Sequence, residues 1–113
     1  MAQDPRPREE QGQGGEVSKI KWLPEALSDI ERLHSFLMTK SPIAAAEAAA
    51  AILEGADLLK KMPNLGRAMP DDTGRRELFI PFAAGAYVLR YMLENEKTAV
   101  IIRVWHSREY RAE

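Results

Sequence analysis

Arg75, Arg76, Arg90, Arg103 and His106, with Tyr110 close to the C-terminus, are the side chains of this 113-residue sequence best suited to chemistry. Guanidinium groups stabilise phosphate charge, and imidazole or phenol groups move protons, which together are the tasks of RNA cleavage. Other chemistries find little support. Gly12-Gln13-Gly14-Gly15 precedes a strand instead of joining a strand to a helix, so it cannot set a phosphate on a helix N-terminus. Asp71 and Asp72 are neighbours in a Gly/Pro loop with no third ligand at metal spacing, which fits a turn better than a metal site. There is no cysteine, no Gly-x-Ser-x-Gly elbow, and His34 and His106 are the only histidines. Thiol catalysis and Cys-ligated zinc are therefore excluded, and neither a metal nor another cofactor is expected.

A hydrophobic content of 45% supports one core, and a net charge of −1 gives no global basic field for nucleic acid. From Pro63 onward acidic and basic residues nearly balance, so a dense cationic surface is not expected there either. The longest apolar tract, Ile43 to Leu53, is interrupted by Glu47 and is far short of the roughly 20 residues that cross a bilayer. Residues 1–17 are rich in Gln, Gly and Pro and lack an export signal, so they read as a mobile tail. Residues 18–113 then form a single domain, expected in the cytoplasm.

The elements that must position these side chains follow from periodicity. Ile20 and Trp22 alternate with Lys19 and Lys21 as in a half-buried strand. Pro24 opens a helix whose stripe is Leu23, Leu27, Ile30, Leu33 and Leu37, with Asp29, Glu31 and Arg32 off it. Ser41 and Pro42 cap a second helix, expected to reach Met62, with the stripe Ala45, Ala48, Ile52, Ala56 and Leu59. After two turn-rich stretches come strands over 76–80, 86–93 and 98–105. The expected fold is α+β, in the order β-α-α-β-β-β, with a helical hairpin packed on one face of a small, mainly antiparallel sheet.

If Leu93 pairs with Thr98, Tyr91 faces Val100, Leu89 faces Ile102 and Tyr87 faces Val104, making one apolar side for the helices. Val88, Arg90, Met92, Ala99, Ile101, Arg103 and Trp105 then lie on the side away from them. Two readings of that outer side stay open. Arg90 and Arg103 are either solvated residues, with Glu77 as a neighbouring-strand partner, or part of a partner- or anion-binding face with Trp105. Phe36, Met38, Leu58 and Met62 sit off the helical stripes and are candidates for a hydrophobic groove that takes a partner helix.

Four tracts carry a family resemblance: Leu58-Leu59-Lys60-Lys61-Met62-Pro63-Asn64-Leu65-Gly66-Arg67, Arg75-Arg76-Glu77-Leu78, Tyr87-Val88-Leu89-Arg90-Tyr91 and Ile101-Ile102-Arg103-Val104-Trp105-His106-Ser107-Arg108. In this order they resemble the RelE/ParE superfamily of bacterial type II toxin–antitoxin modules, often labelled plasmid stabilisation proteins. The resemblance implies a toxin neutralised by a co-expressed antitoxin that wraps its surface. It also implies one of two activities. ParE-like members poison DNA gyrase. RelE-like members cleave mRNA on the ribosome, in which case Arg76 and Arg90 would hold the phosphate, His106 would transfer a proton and Tyr110 would stack on a base or transfer a proton. The balanced charge and the lack of a lysine-rich second strand favour the ParE-like activity, with gyrase as target, no membrane partner and no direct DNA binding. The mRNA-cleaving activity is the alternative, and a non-toxic interaction module is a third.

Overall fold

The computed structural model describes residues 16–109. In chain order it contains β1 (Lys19–Trp22), α1 (Pro24–Met38), α2 (Pro42–Leu58), β2 (Arg67–Ala68), β3 (Arg76–Phe82), β4 (Gly85–Asn95) and β5 (Thr98–His106). The five strands form one sheet in the order β1-β5-β4-β3-β2, parallel between β1 and β5 and antiparallel elsewhere. The α+β order expected from the sequence is present, with the two-residue β2 added at one edge, where the sequence reads as loop. Val17 does not belong with the tail: it is 3% exposed and its N–H donates to the carbonyl of Lys60 at 2.8 Å.

Both helices begin where proline tolerates a missing donor, and only α2 has a side-chain cap, with Ser41 Oγ accepting from the Ala44 N–H at 3.1 Å. Its stripe Ala45, Ala48, Ile52, Ala56 and Leu59 is buried throughout. Gly55 would cost about 1 kcal/mol against alanine in an exposed helix interior. Here a Cβ would come within 2.2 Å of Ile80 Cδ1, so the missing side chain is what lets α2 lie directly on β3. The helix ends at Leu58, not Met62, because residues 59–61 tighten into turns whose N–H groups reach Ala56, Asp57 and Leu58. The α1 stripe is rotated from the expected one: Ala26, Asp29 and Leu33 are buried, while Leu27 is 52% exposed.

The β4–β5 register also differs. Asn95, not Leu93, lies opposite Thr98, because Asn95 Oδ1 accepts the Lys97 N–H at 2.7 Å and makes a tighter turn. One shift falls between Leu93 and Asn95 and another between Arg90 and Tyr91, so Glu94 and Ile102 are extra residues in the ladder. Tyr91 therefore faces Ile101, and Leu89 faces Val104. Ala99 and Ile101, expected on the outer side, are fully buried beneath the helices. Ile101→Ala should lower the unfolding free energy by about 2–5 kcal/mol, the range for a truncated core aliphatic, and Ile102→Ala by clearly less. Urea titration of the two variants checks this, and equal losses would contradict the bulged register.

Candidate functional site

Tyr91 is fully buried in the middle of β4, and its hydroxyl must find partners there. It donates to the carbonyl of Pro63 at 2.8 Å and accepts the N–H of Gly66 at 2.9 Å. Burial pushes this phenol above its ordinary value. Directly opposite on β3, Arg76 donates to the carbonyls of Gly66 at 2.6 Å and Asn64 at 3.3 Å. A Cβ at position 66 would sit 2.6 Å from the Tyr91 ring, so only glycine fits. The Pro-Asn-Leu-Gly-Arg tract is thus a turn fastened to the sheet by a phenol and a guanidinium.

On the face away from the helices, Arg67, Glu77, Arg90 and Arg103 lie opposite one another across β2, β3, β4 and β5. The next row is Phe79, Val88 and Trp105. Arg90 donates through Nε and Nη2 to Glu77 Oε2 at 3.1 and 2.8 Å, and its guanidinium lies 4.9 Å from the Trp105 ring centroid. The Arg67 guanidinium lies 5.4 Å from the ring centroid of Phe79. Arg90 thus takes Glu77, the neighbouring-strand carboxylate expected for it, as its partner.

Arg103 turns to α1 instead. Its Nε and Nη2 meet the Asp29 carboxylate at 2.8 and 3.1 Å. The cause is the short edge strand: β1 pairs with β5 only as far as Ile101, so the Val104 N–H has no strand neighbour on that side. Asp29, 3% exposed, supplies the missing acceptor at 2.8 Å and is also bonded by Arg32 at 3.2 Å. Burial alone would push the Asp29 carboxyl up. The hydrogen bonds from Arg103, Val104 and Arg32 outweigh it and hold the carboxyl below its ordinary value. Asp29 was expected off the buried stripe; its position between Ala26 and Leu33 was the available signal, masked by its charge.

His106 is on the helix side, edge-on to Tyr87 with ring centroids 5.0 Å apart. Its Nδ1 accepts the Arg108 N–H at 3.2 Å, which leaves Nε2 to donate to the carbonyl of Phe82 at 3.2 Å. Ser107 binds both backbone groups of Ala86, at 2.7 and 3.0 Å. Glu109 accepts the His106 N–H at 2.9 Å and pairs with Arg32. The Trp-His-Ser-Arg tract therefore ties down the β3–β4 hairpin.

These positions decide what the candidate residues can do together. Arg76 and His106 share the helix side but stand opposite Tyr91 and Tyr87, about 13 Å apart along β4 at roughly 3.3 Å per residue, while Arg90 is on the other face. They do not converge on one phosphate, and Tyr110 lies outside the described residues. Phe36, Met38, Leu58 and Met62 are 45–60% exposed. They line the two ends of the hairpin, about 24 Å apart at roughly 1.5 Å per residue of α2, not one pocket. A groove of about 460 Å³ between β1 and α2, lined by Ile20, Trp22, Leu53, Ala56, Asp57 and Lys60, was not foreseen. Among the described residues no group of three His, Asp or Glu side chains could hold a metal, and no helix is long and apolar enough to cross a membrane.

A helical hairpin over a five-stranded sheet, with these tracts serving as its turns, is the architecture of a known toxin class. The family model for the ParE toxin of the type II toxin-antitoxin system parDE matches residues 20–110. Toxin RelE3 of Caulobacter vibrioides is 36% identical over 95 residues, covering 84% of this chain and 100% of that protein. Toxin RelE1 of the same organism is 37% identical over 86 residues, covering 76% of this chain and 89% of its own length. A solved structure of the chromosomal ParDE TA system from P. aeruginosa shares the fold with a TM-score of 0.64 and 21% identity, covering 80% of this chain and 96% of that one. The chain belongs to the ParE toxin family, within the RelE/ParE superfamily of type II toxin–antitoxin toxins.

Because its carboxyl is held low, the stability that Asp29 contributes is complete above the unfolded value near 3.9 and is lost as pH falls through the lower folded value. At pH 7, Asp29→Asn should cost about 1–3 kcal/mol, the range for removing a charged hydrogen-bond acceptor. The gap from wild type should narrow steadily below about pH 4, where the wild-type carboxyl also loses its charge. Urea midpoints between pH 3 and 7 measure both, and a gap independent of pH would contradict the assignment.

Proposed function

We propose that this toxin is a ParE-like inhibitor of DNA gyrase, acting in the cytoplasm and neutralised by its cognate antitoxin. The observation that carries the reading is the dispersal of Arg76, Arg90 and His106, each engaged by a structural partner: two turn carbonyls, Glu77, and the Phe82 carbonyl. An enzyme that cleaves RNA needs its cations and proton-transfer groups preorganised around one phosphate. A protein inhibitor needs only a rigid surface, which is what these bonds make. The near balance of charge after Pro63 supports the same side, since contact with ribosomal RNA is driven by uncompensated cations.

We propose that the antitoxin binds on the helical side. Phe36 and Met38 at one end of the hairpin and Leu58 and Met62 at the other offer exposed apolar footholds along a length that an amphipathic segment can span. Arg90 and Trp105 belong to the opposite, target-facing side, which Arg103 leaves to meet Asp29.

A second reading, a ribosome-dependent mRNA endonuclease, is favoured by the RelE names of the two Caulobacter relatives. It requires Arg76 and His106 to leave their present partners. A supercoiling assay separates the two. Toxin freed from antitoxin is expected to block gyrase and trap cleaved DNA, whereas undiminished supercoiling would overturn the gyrase reading. His106→Ala should lower stability by about 1–2 kcal/mol through its lost hydrogen bonds and leave gyrase inhibition at the wild-type level.

A further inference from the structure

The turn that Tyr91 and Arg76 hold so firmly ends in Arg67, whose own purpose the packing leaves open. β2 has only two residues, both exposed, and adds nothing to the core. Its effect is to pair Arg67 with Glu77 and set the guanidinium over the ring of Phe79, itself 46% exposed. Along the charged row, Arg90 is met by Glu77, and Arg103 by Asp29. Among the described residues no carboxylate lies within ion-pair distance of Arg67, so the unmet positive charge of this row lies at the β2 end. A guanidinium held over a ring is only partly used by that contact, and its N–H donors can still meet a carboxylate.

Resting on the gyrase reading, we propose that Arg67 and Phe79 are the anchor by which the outer sheet face grips the toxin's protein target, taking one acidic side chain and an adjoining apolar one. The chemistry favours a protein over a nucleic acid. A nucleic-acid strand is held by a series of unmet cations and by ring faces left open for bases. Along the row of Arg67, Glu77, Arg90 and Arg103 one such cation is present among the described residues, and the Phe79 and Trp105 rings each already carry a guanidinium. A carboxylate beside an apolar side chain matches one charge beside one half-exposed ring, a pairing typical of the anchors that dominate protein interfaces.

The test uses Arg67→Gln and Phe79→Ala, each co-expressed with the antitoxin and then separated from it. Both side chains are exposed, so the thermal midpoint and the antitoxin affinity should stay within error and within twofold of wild type. The toxin concentration that half-inhibits supercoiling should rise at least tenfold in each, and cells expressing either variant without antitoxin should resume growth. Wild-type toxicity in either variant would overturn the proposal. So would a parallel loss of antitoxin affinity, which would assign the face to the antitoxin, or binding of a short oligouridine probe by wild type that Arg67→Gln abolishes. If wild type arrests growth yet leaves gyrase unaffected, the gyrase reading fails alone, and recovery of growth in the variants still decides the role of Arg67.

Discussion

The hydroxyl of Tyr91 cannot be buried without both a donor and an acceptor, and the fold meets that demand with a single turn. Pro63, past the turns that close α2, lends a carbonyl, while Gly66 lends an N–H at a place where no side chain fits. Arg76 completes the arrangement by holding the remaining carbonyls. Once that turn is fixed against the sheet, the next residue has nowhere to go but along the edge of β3. Arg67 thereby becomes part of a surface instead of a loop. A buried polar requirement inside the sheet thus shapes what the opposite face presents.

The same economy appears at the other edge. A four-residue β1 leaves part of β5 without a strand neighbour, and a carboxylate on α1 takes its place. Drawing Asp29 inside requires cations, and Arg103 and Arg32 meet it from the half-exposed rim. His106 and Ser107 in turn close the hairpin at the far end. A domain of this size has a small core, so polar side chains that satisfy stray backbone groups contribute much of its definition. Groups that look catalytic by type are in this way committed to architecture.

Much of this was legible in the residues themselves. Helical spacing located both helices, Ser41 and Pro42 marked the second start, and the alanine stripe of α2 is the buried one. What periodicity could not reveal were events that break periodicity. The two bulges of the β4–β5 ladder turn Ile101 inward and were invisible to an alternation that assumes an unbroken register. Asp29 was set aside because a lone carboxylate in an apolar stripe gains its reason only from a backbone donor 75 residues away. Arg67 lay in a recognised tract, yet its placement over Phe79 depends on a strand of two residues that no propensity would indicate. The resemblance pointed to the family correctly, while the partners that hold Arg76 and His106 in the fold could not be read from the tracts that carried it.

The division between scaffold and chemistry is most directly tested on the ribosome. Purified toxin, freed of antitoxin, is added to ribosomes programmed with a defined message, and primer extension reads the RNA afterwards. With Arg76, Arg90 and His106 apart and committed, the message should remain whole at toxin concentrations that arrest supercoiling. Cleavage within the codon in the A site, lost in Arg76→Ala and His106→Ala, would show that these groups assemble on substrate and would contradict a purely structural role.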